Sequence, residues 1–296
     1  APGAYINSTQ NNGIYNFTSG TSFAAPHVTG AAALLLQKNP ELENHEIKSL
    51  LLTTVKPVSD AYGQKFSLHE SGSGRLDIAN AYNAKLIINP TNFVINLSVD
   101  QPSIEKQLEL KLIQGTLEKI DVRFEGPEFI EFSHNIKNKN LQIGLNIVGE
   151  KYGEHEGKIF INHEKIKYTI PMIIHYTEGS ISTVQENEKL IFEINHPNKW
   201  SFAKITITNS KNGNTDTITT TSDKKTSLEI YENGEYWIEA KIKDENNTSN
   251  AFNTIKVTSL SEKIEKIELR DIPEKQIIII ISIVGIIGIV GFLIRK

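Results

Sequence analysis

Residues Leu141-Gln142-Ile143-Gly144-Leu145-Asn146-Ile147 carry an apolar side chain at every second position. Successive side chains of a β-strand point to opposite faces, so this stretch reads as a half-buried strand with Leu141, Ile143, Leu145 and Ile147 on the core side. The same period extends in both directions. Phe93, Ile95, Leu97 and Val99 alternate in this way, as do Leu108, Leu110 and Leu112, and shorter runs stand at 120–124, 158–161 and 168–175. About seven strands in roughly ninety residues predict an antiparallel β-sandwich. Beyond it, runs at 190–194, 202–208, 215–220, 226–230, 234–242 and 252–257 repeat the pattern, with turn signals at Asn212-Gly213 and Asn233-Gly234. They predict a second sandwich.

Towards the N-terminus the period changes. From Thr21 to Lys38 the chain is dominated by Ala and Leu with apolar residues nearly all round, as in a helix buried inside a large domain, and Asn39-Pro40 ends it. A second helix is expected from Asn44 as N-cap to about Thr54, with Glu46 in its first turn and Ile47, Leu50 and Leu51 on one face. Gly72-Ser73-Gly74 forms a tight loop before a short helix over 77–85. At the other end, Ile277 to Ile294 holds only Ile, Val, Leu, Phe, Gly and one Ser, a run long enough at ~1.5 Å per residue to cross a bilayer. Arg295 and Lys296 follow it, which by the positive-inside rule places the C-terminus in the cytoplasm and the remainder outside. The expected organisation is therefore a first unit over 1–85, sandwiches over 86–178 and 179–260, a charged stalk over 261–275 and a membrane helix over 276–294.

Composition narrows the function classes. Of 296 residues 39% are hydrophobic and 22% charged, and 31 basic against 35 acidic side chains give a net charge of −4. That balance lacks the basic field of a nucleic-acid binder. With no cysteine, disulfides, thiolate metal sites and a thiol nucleophile are excluded. The chain opens Ala1-Pro2-Gly3 and its only methionine is Met172, so it is expected to be a piece of a longer protein. The sequons at Asn7, Asn16, Asn96, Asn246 and Asn247 fit an extracytoplasmic address.

The candidate chemistry lies in Ser19-Gly20-Thr21-Ser22-Phe23-Ala24-Ala25-Pro26-His27-Val28. It sets a serine in the first turn of a helix, where a backbone N–H has no internal partner and the macrodipole favours negative charge. Gly20, Ala24 and Ala25 let another chain approach closely. Such a position suits a nucleophile whose own N–H holds an oxyanion, although Gly-Thr-Ser before an Ala-rich helix also reads as a plain N-cap.

Residues 1 to about 85 resemble the last portion of the subtilisin (subtilase) catalytic domain. The resemblance rests on Ala1-Pro2-Gly3, Ile6-Asn7-Ser8-Thr9, Gly20-Thr21-Ser22 with Ala25-Pro26-His27 after it, the Ala-Leu helix, Asn39-Pro40 and Gly74-Arg75-Leu76-Asp77, all in family order. It implies a partial α/β domain over 1–85. The two all-β sandwiches read above resemble the immunoglobulin- or fibronectin-like modules that often follow subtilase domains, so the expected fold class is that partial domain, two sandwiches and one C-terminal transmembrane helix. The subtilase resemblance further implies a serine endopeptidase in which Ser22 is the nucleophile, Thr21 supports the oxyanion hole and Gly20 belongs to the motif backbone. The family's triad runs Asp, His, Ser, with a separate oxyanion Asn, and none of the residues before Ser22 is Asp or His. The chain is accordingly expected to supply the nucleophile alone and to be inert by itself. His27 belongs to helix packing under this resemblance. The remaining histidines lack metal-ligand spacing and no Asp-rich calcium loop is visible, so no metal and no cofactor are expected. The implied partners are protein or peptide substrates and, through the apolar run, a lipid bilayer. The alternative is a non-catalytic surface adhesion or scaffold protein with a degenerate protease domain. The sandwiches read as spacers, with substrate or cell-wall binding as the other possibility, and Trp200 and Trp237 read as core or edge aromatics.

Overall fold

The computed structural model describes residues 1–117, 120–245 and 247–258. Strands β1 (Ile6–Thr9) and β2 (Tyr15–Thr18) form an antiparallel hairpin ahead of helix α1 (Thr21–Lys38). Helices α2 (Asn44–Thr53), α3 (Leu68–Ser71) and α4 (Ile78–Asn83) follow. The N-cap of α2 is Glu43 and not the expected Asn44, because the Glu43 N–H is held by Glu46 Oε2 at 3.0 Å. Asp77 caps α4 by accepting the Asn80 N–H at 3.1 Å. Although α1 is apolar nearly all round, only Ala31 and Leu35, one turn apart, are buried, on a helix that packs against α2 and α4.

The next eight strands are β3 (Leu86–Asn89), β4 (Phe93–Ser98), β5 (Ser103–Leu112), β6 (Asp121–Glu125), β7 (Ile130–Lys137), β8 (Asn140–Ile147), β9 (Gly153–His163) and β10 (Ile166–Thr177). They make two four-stranded sheets, in orders β3-β5-β8-β7 and β4-β10-β9-β6. All pairings are antiparallel except that of β4 with β10. In β8 the side chains of Leu141, Ile143, Leu145 and Ile147 are buried, as period-two alternation requires. Leu108 and Leu110 from β5 and Ile159, Ile161, Ile170 and Ile174 from the other sheet complete the interior. This core continues without a break into the helices, since Leu35, Ile47, Leu50 and Ala84 belong to the same buried cluster. The buried hydroxyl of Ser49 in α2 clamps the join. It donates to the Ile88 carbonyl at 2.7 Å and accepts the Ile88 N–H at 3.0 Å.

Among the described residues seven more strands follow, β11 (Ser180–Glu186), β12 (Lys189–Asn195), β13 (Trp200–Asn209), β14 (Thr215–Thr220), β15 (Thr226–Glu229), β16 (Gly234–Asp244) and β17 (Thr248–Val257). Sheet β11-β12-β15 lies with sheet β14-β13-β16-β17, all antiparallel. At the start of β16 the Tyr236 hydroxyl donates to the Glu232 carbonyl at 2.9 Å, the tyrosine corner of immunoglobulin-like sandwiches.

The architecture corrects the expected class. A partial α/β domain was anticipated over 1–85, but an α/β layer needs a mostly parallel sheet between its helices. These residues supply the helices and one two-stranded antiparallel hairpin only. The described residues are mostly β-sandwich. The expected stalk and membrane helix at 261–294 lie outside the described residues. Among the described residues no helix is long and apolar enough to cross a membrane.

Candidate active site

Ser22 is the second residue of α1, with Gly20 as N-cap and Thr21 as the first helical residue. Both Thr21 and Ser22 are exposed. The N–H groups of a first helical turn have no acceptor one turn earlier, so the Ser22 amide adds a donor beside its own hydroxyl. Four residues on, Pro26 carries no N–H, which deprives the Ser22 carbonyl of its usual helical donor. The exposed start of α1 therefore combines a hydroxyl, a free-standing amide and a carbonyl on one residue.

The segment before the hairpin braces this turn. Gly20 donates its N–H to the Gly3 carbonyl at 2.7 Å, and the Tyr5 N–H reaches Ser19 Oγ at 3.0 Å. A Cβ on Gly3 would stand 2.8 Å from the Gly20 carbonyl oxygen and 3.2 Å from the Ala24 Cβ. Only a glycine allows that approach. At the other end of the first unit, Gly74 has a φ of +135°, and a Cβ there would lie 2.5 Å from the Lys56 carbonyl oxygen. The adjoining Arg75 exchanges backbone hydrogen bonds of 2.8 and 2.9 Å with Lys56.

His27 Nδ1 lies 3.0 Å from the Phe23 carbonyl, one turn back on its own helix. That bond fixes the ring along α1. No Asp precedes Ser22, and Asp77 is committed to capping α4 and to an ion pair with Lys56 at 2.8 Å. Along the hairpin and α1, large apolar side chains stand open to solvent: Tyr5, Ile14, Tyr15 and Phe17 in and beside the hairpin, Val28 and Leu34 on the helix.

Sequence spacing gave no hint of one further cluster. Glu178, His196 and Asp244 come from three separate segments and each places a ligand atom within 4.8 Å of the others. His196 Nε2 already meets Ser249 Oγ at 2.9 Å, and Asp244 Oδ2 accepts from Asn198 Nδ2 at 3.2 Å.

Residues 1–74 match the model of the subtilase family of peptidases. The minor extracellular protease Vpr of Bacillus subtilis (strain 168) is 23% identical over 160 residues, covering 50% of this chain and 20% of that protein. Subtilisin DY of Bacillus licheniformis is 40% identical over 62 residues, covering 21% of this chain and 23% of its own length. The chain thus spans less than a quarter of these curated relatives. At the family level the matches support a serine peptidase. Among solved structures, a two-domain fibronectin type III segment of chicken tenascin aligns over 58% of this chain and 97% of its own, with 11% identity and a TM-score of 0.24. A score that low carries no argument, and the sandwich assignment rests on the strand order and the tyrosine corner.

Proposed function

We propose that the protein is part of a subtilisin-type serine endopeptidase in which Ser22 attacks the scissile carbonyl and forms the acyl-enzyme. The observation that carries this reading is the coincidence of the matched residues 1–74 with an exposed serine in the first turn of α1. The Ser22 N–H is one donor of the oxyanion hole and Thr21 supports it, while Gly20 lets the substrate backbone approach. The catalytic Asp and His and the side-chain oxyanion donor come from residues other than those preceding Ser22 here. The uncovered apolar side chains of the β1–β2 hairpin and α1 fit that division, because so much exposed apolar surface around one helix calls for a covering partner. The remaining part of the catalytic domain is that partner. Substrates are extracytoplasmic proteins, in keeping with the extracellular relative.

A fluorophosphonate probe tests the assignment. It is applied to the protein in the cells that make it, and the modified residue is mapped. Labelling at Ser22 that disappears in Ser22→Ala supports the proposal. Absence of label on intact, folded protein overturns it in favour of a non-catalytic scaffold.

A further inference from the structure

The two sandwiches meet along a cleft that the peptidase reading does not use. One wall is the outer face of β13, β16 and β17. Trp237 stands there in register with Thr208 on one side and Thr254 on the other, and Glu239 stands between Thr206 and Phe252. The opposite wall carries Val94 and Asn96 from β4 and Ile173 and His175 from β10. The His175 and Phe252 rings bridge the walls with centroids 4.4 Å apart. A cavity of about 510 Å³ lies on the Trp237 side of this bridge. A second of about 540 Å³, lined by Tyr152, Tyr176 and Asn250, also includes His175, Glu239 and Phe252. Each falls within the ~300–1,000 Å³ range of small-molecule sites, which favour junctions between domains.

The lining specifies a chemistry. Trp237 is 55% exposed and Tyr152 is 40% exposed, so each cavity offers an aromatic ring that folding has left uncovered. Around Trp237 stand the amides and hydroxyls of Asn96, Asn253, Thr206 and Thr208, around Tyr152 those of Thr248, Ser249 and Asn250, and Glu239 is shared by both cavities. The Asn96 Oδ1 atom on this wall is buried without a hydrogen-bond partner. Flat apolar faces edged by hydrogen-bonding groups, the carboxylates of Glu154, Glu178 and Glu239 among them, match an uncharged pyranose ring, whose C–H face is apolar and whose hydroxyl rim can donate to them. A peptide added as a strand fits less well, because β17, at the edge of its sheet, packs beside β11 and β4.

We propose that the junction of the two sandwiches is a binding cleft for a neutral oligosaccharide, with one sugar ring on Trp237 and another beside Tyr152. The His175–Phe252 bridge separates the two subsites, so binding requires more than one sugar unit. The site makes the sandwiches an attachment device for a glycan-bearing surface, independent of the chemistry at Ser22.

The test uses the full chain with two probes, the β-1,4-linked hexamers of glucose and of N-acetylglucosamine. The protein has only two tryptophans, so Trp200→Phe leaves Trp237 as the sole indole reporter. A saturable change in its fluorescence with at least one hexamer is expected, with the corresponding monosaccharide much weaker. By calorimetry, Trp237→Ala and Tyr152→Ala each weaken binding roughly tenfold, in line with loss of one aromatic contact, while Trp237→Phe retains most of it. Unchanged thermal melting of these exposed-site variants separates lost binding from lost fold. No response to either hexamer, or equal binding in Trp237→Ala, overturns the proposal.

Discussion

The hydroxyl of Tyr168, on a side chain with no solvent exposure, accepts the backbone N–H of Leu86 at 3.1 Å. It also accepts the neighbouring Lys85 N–H at 3.0 Å, so one phenol on β10 secures the point where α4 passes into β3. Burial pushes the Tyr168 phenol above its ordinary pKa of 10.0, which keeps it protonated across the working range. Its oxygen remains an acceptor for both amides.

Tyr168→Phe keeps the ring and removes that acceptor. Two backbone donors lose their partner in a buried place, and the expected cost is about 1–3 kcal/mol of unfolding free energy. Urea titration with an unchanged slope checks it.

Acid stability should depend on Glu46 and Asp77. Burial works against ionisation of Glu46, but the Lys111 ammonium, the Glu43 N–H and the charges of Lys111 and His45 outweigh it and lower the pKa from 4.5. At Asp77 burial is likewise outweighed by Lys56 and by the N–H groups of Asn80 and Ala79, lowering it from 3.8. Both groups bind protons more weakly folded than unfolded. Their stabilisation is therefore full above these ordinary values and is lost as pH falls through the lower folded ones. Urea midpoints between pH 7 and pH 3 should fall, and the fall should be smaller in Glu46→Gln and in Lys111→Met.

Gly74→Ala should destabilise by more than ~1 kcal/mol, because a positive φ and a carbonyl oxygen in the path of the new methyl group act together. Thermal melting against Gly63→Ala provides the control, since Gly63 also has a positive φ, of +85°, but open space around it.

Gly3→Ala tests the brace on the candidate nucleophile. The methyl group meets the Gly20 carbonyl and Ala24, so the segment must move away from the start of α1. Under the proposed function, fluorophosphonate labelling of Ser22 in the cells that make the protein should slow at least tenfold while global stability changes by less than ~1 kcal/mol, the neighbours Ala1, Pro2, Ala4 and Tyr5 being exposed. Equal labelling rates would mean that the brace does not position Ser22.

Much of the β architecture was legible because buried strands advertise themselves. Leu141, Ile143, Leu145 and Ile147 in β8 and Ala203, Ile205 and Ile207 in β13 each turn one face to a core. Strand β7 gave no such signal, since after Ile130 its residues are half-buried or exposed. Strand β11 was missed for a related reason, with Ile181 its only buried residue. Helix α1 matched its expected span, but its all-round apolar character pointed to enclosure on every side, and the described residues cover one face. The α/β expectation failed because it carried a whole domain's class onto a segment that holds helices without the sheet. Trp237, expected as a core or edge aromatic, is 55% exposed on a strand flanked by two others, and its parity announces that face. It shares parity with Glu239 and Lys241, while Tyr236, Ile238, Ala240 and Ile242 take the buried side. The Ser22 turn was legible as a local device, whereas the Gly3–Gly20 contact pairs positions too far apart for any local period to reveal.

The double hydrogen bond between Ser49 and Ile88 has a consequence for anyone who would exchange modules in this protein. Composition marks a seam near residue 85, yet a cut there would split a single interior and strand buried apolar surface on both pieces. A graft that keeps the helices with the eight strands after them, and changes partners only beyond Thr177, leaves that interior whole.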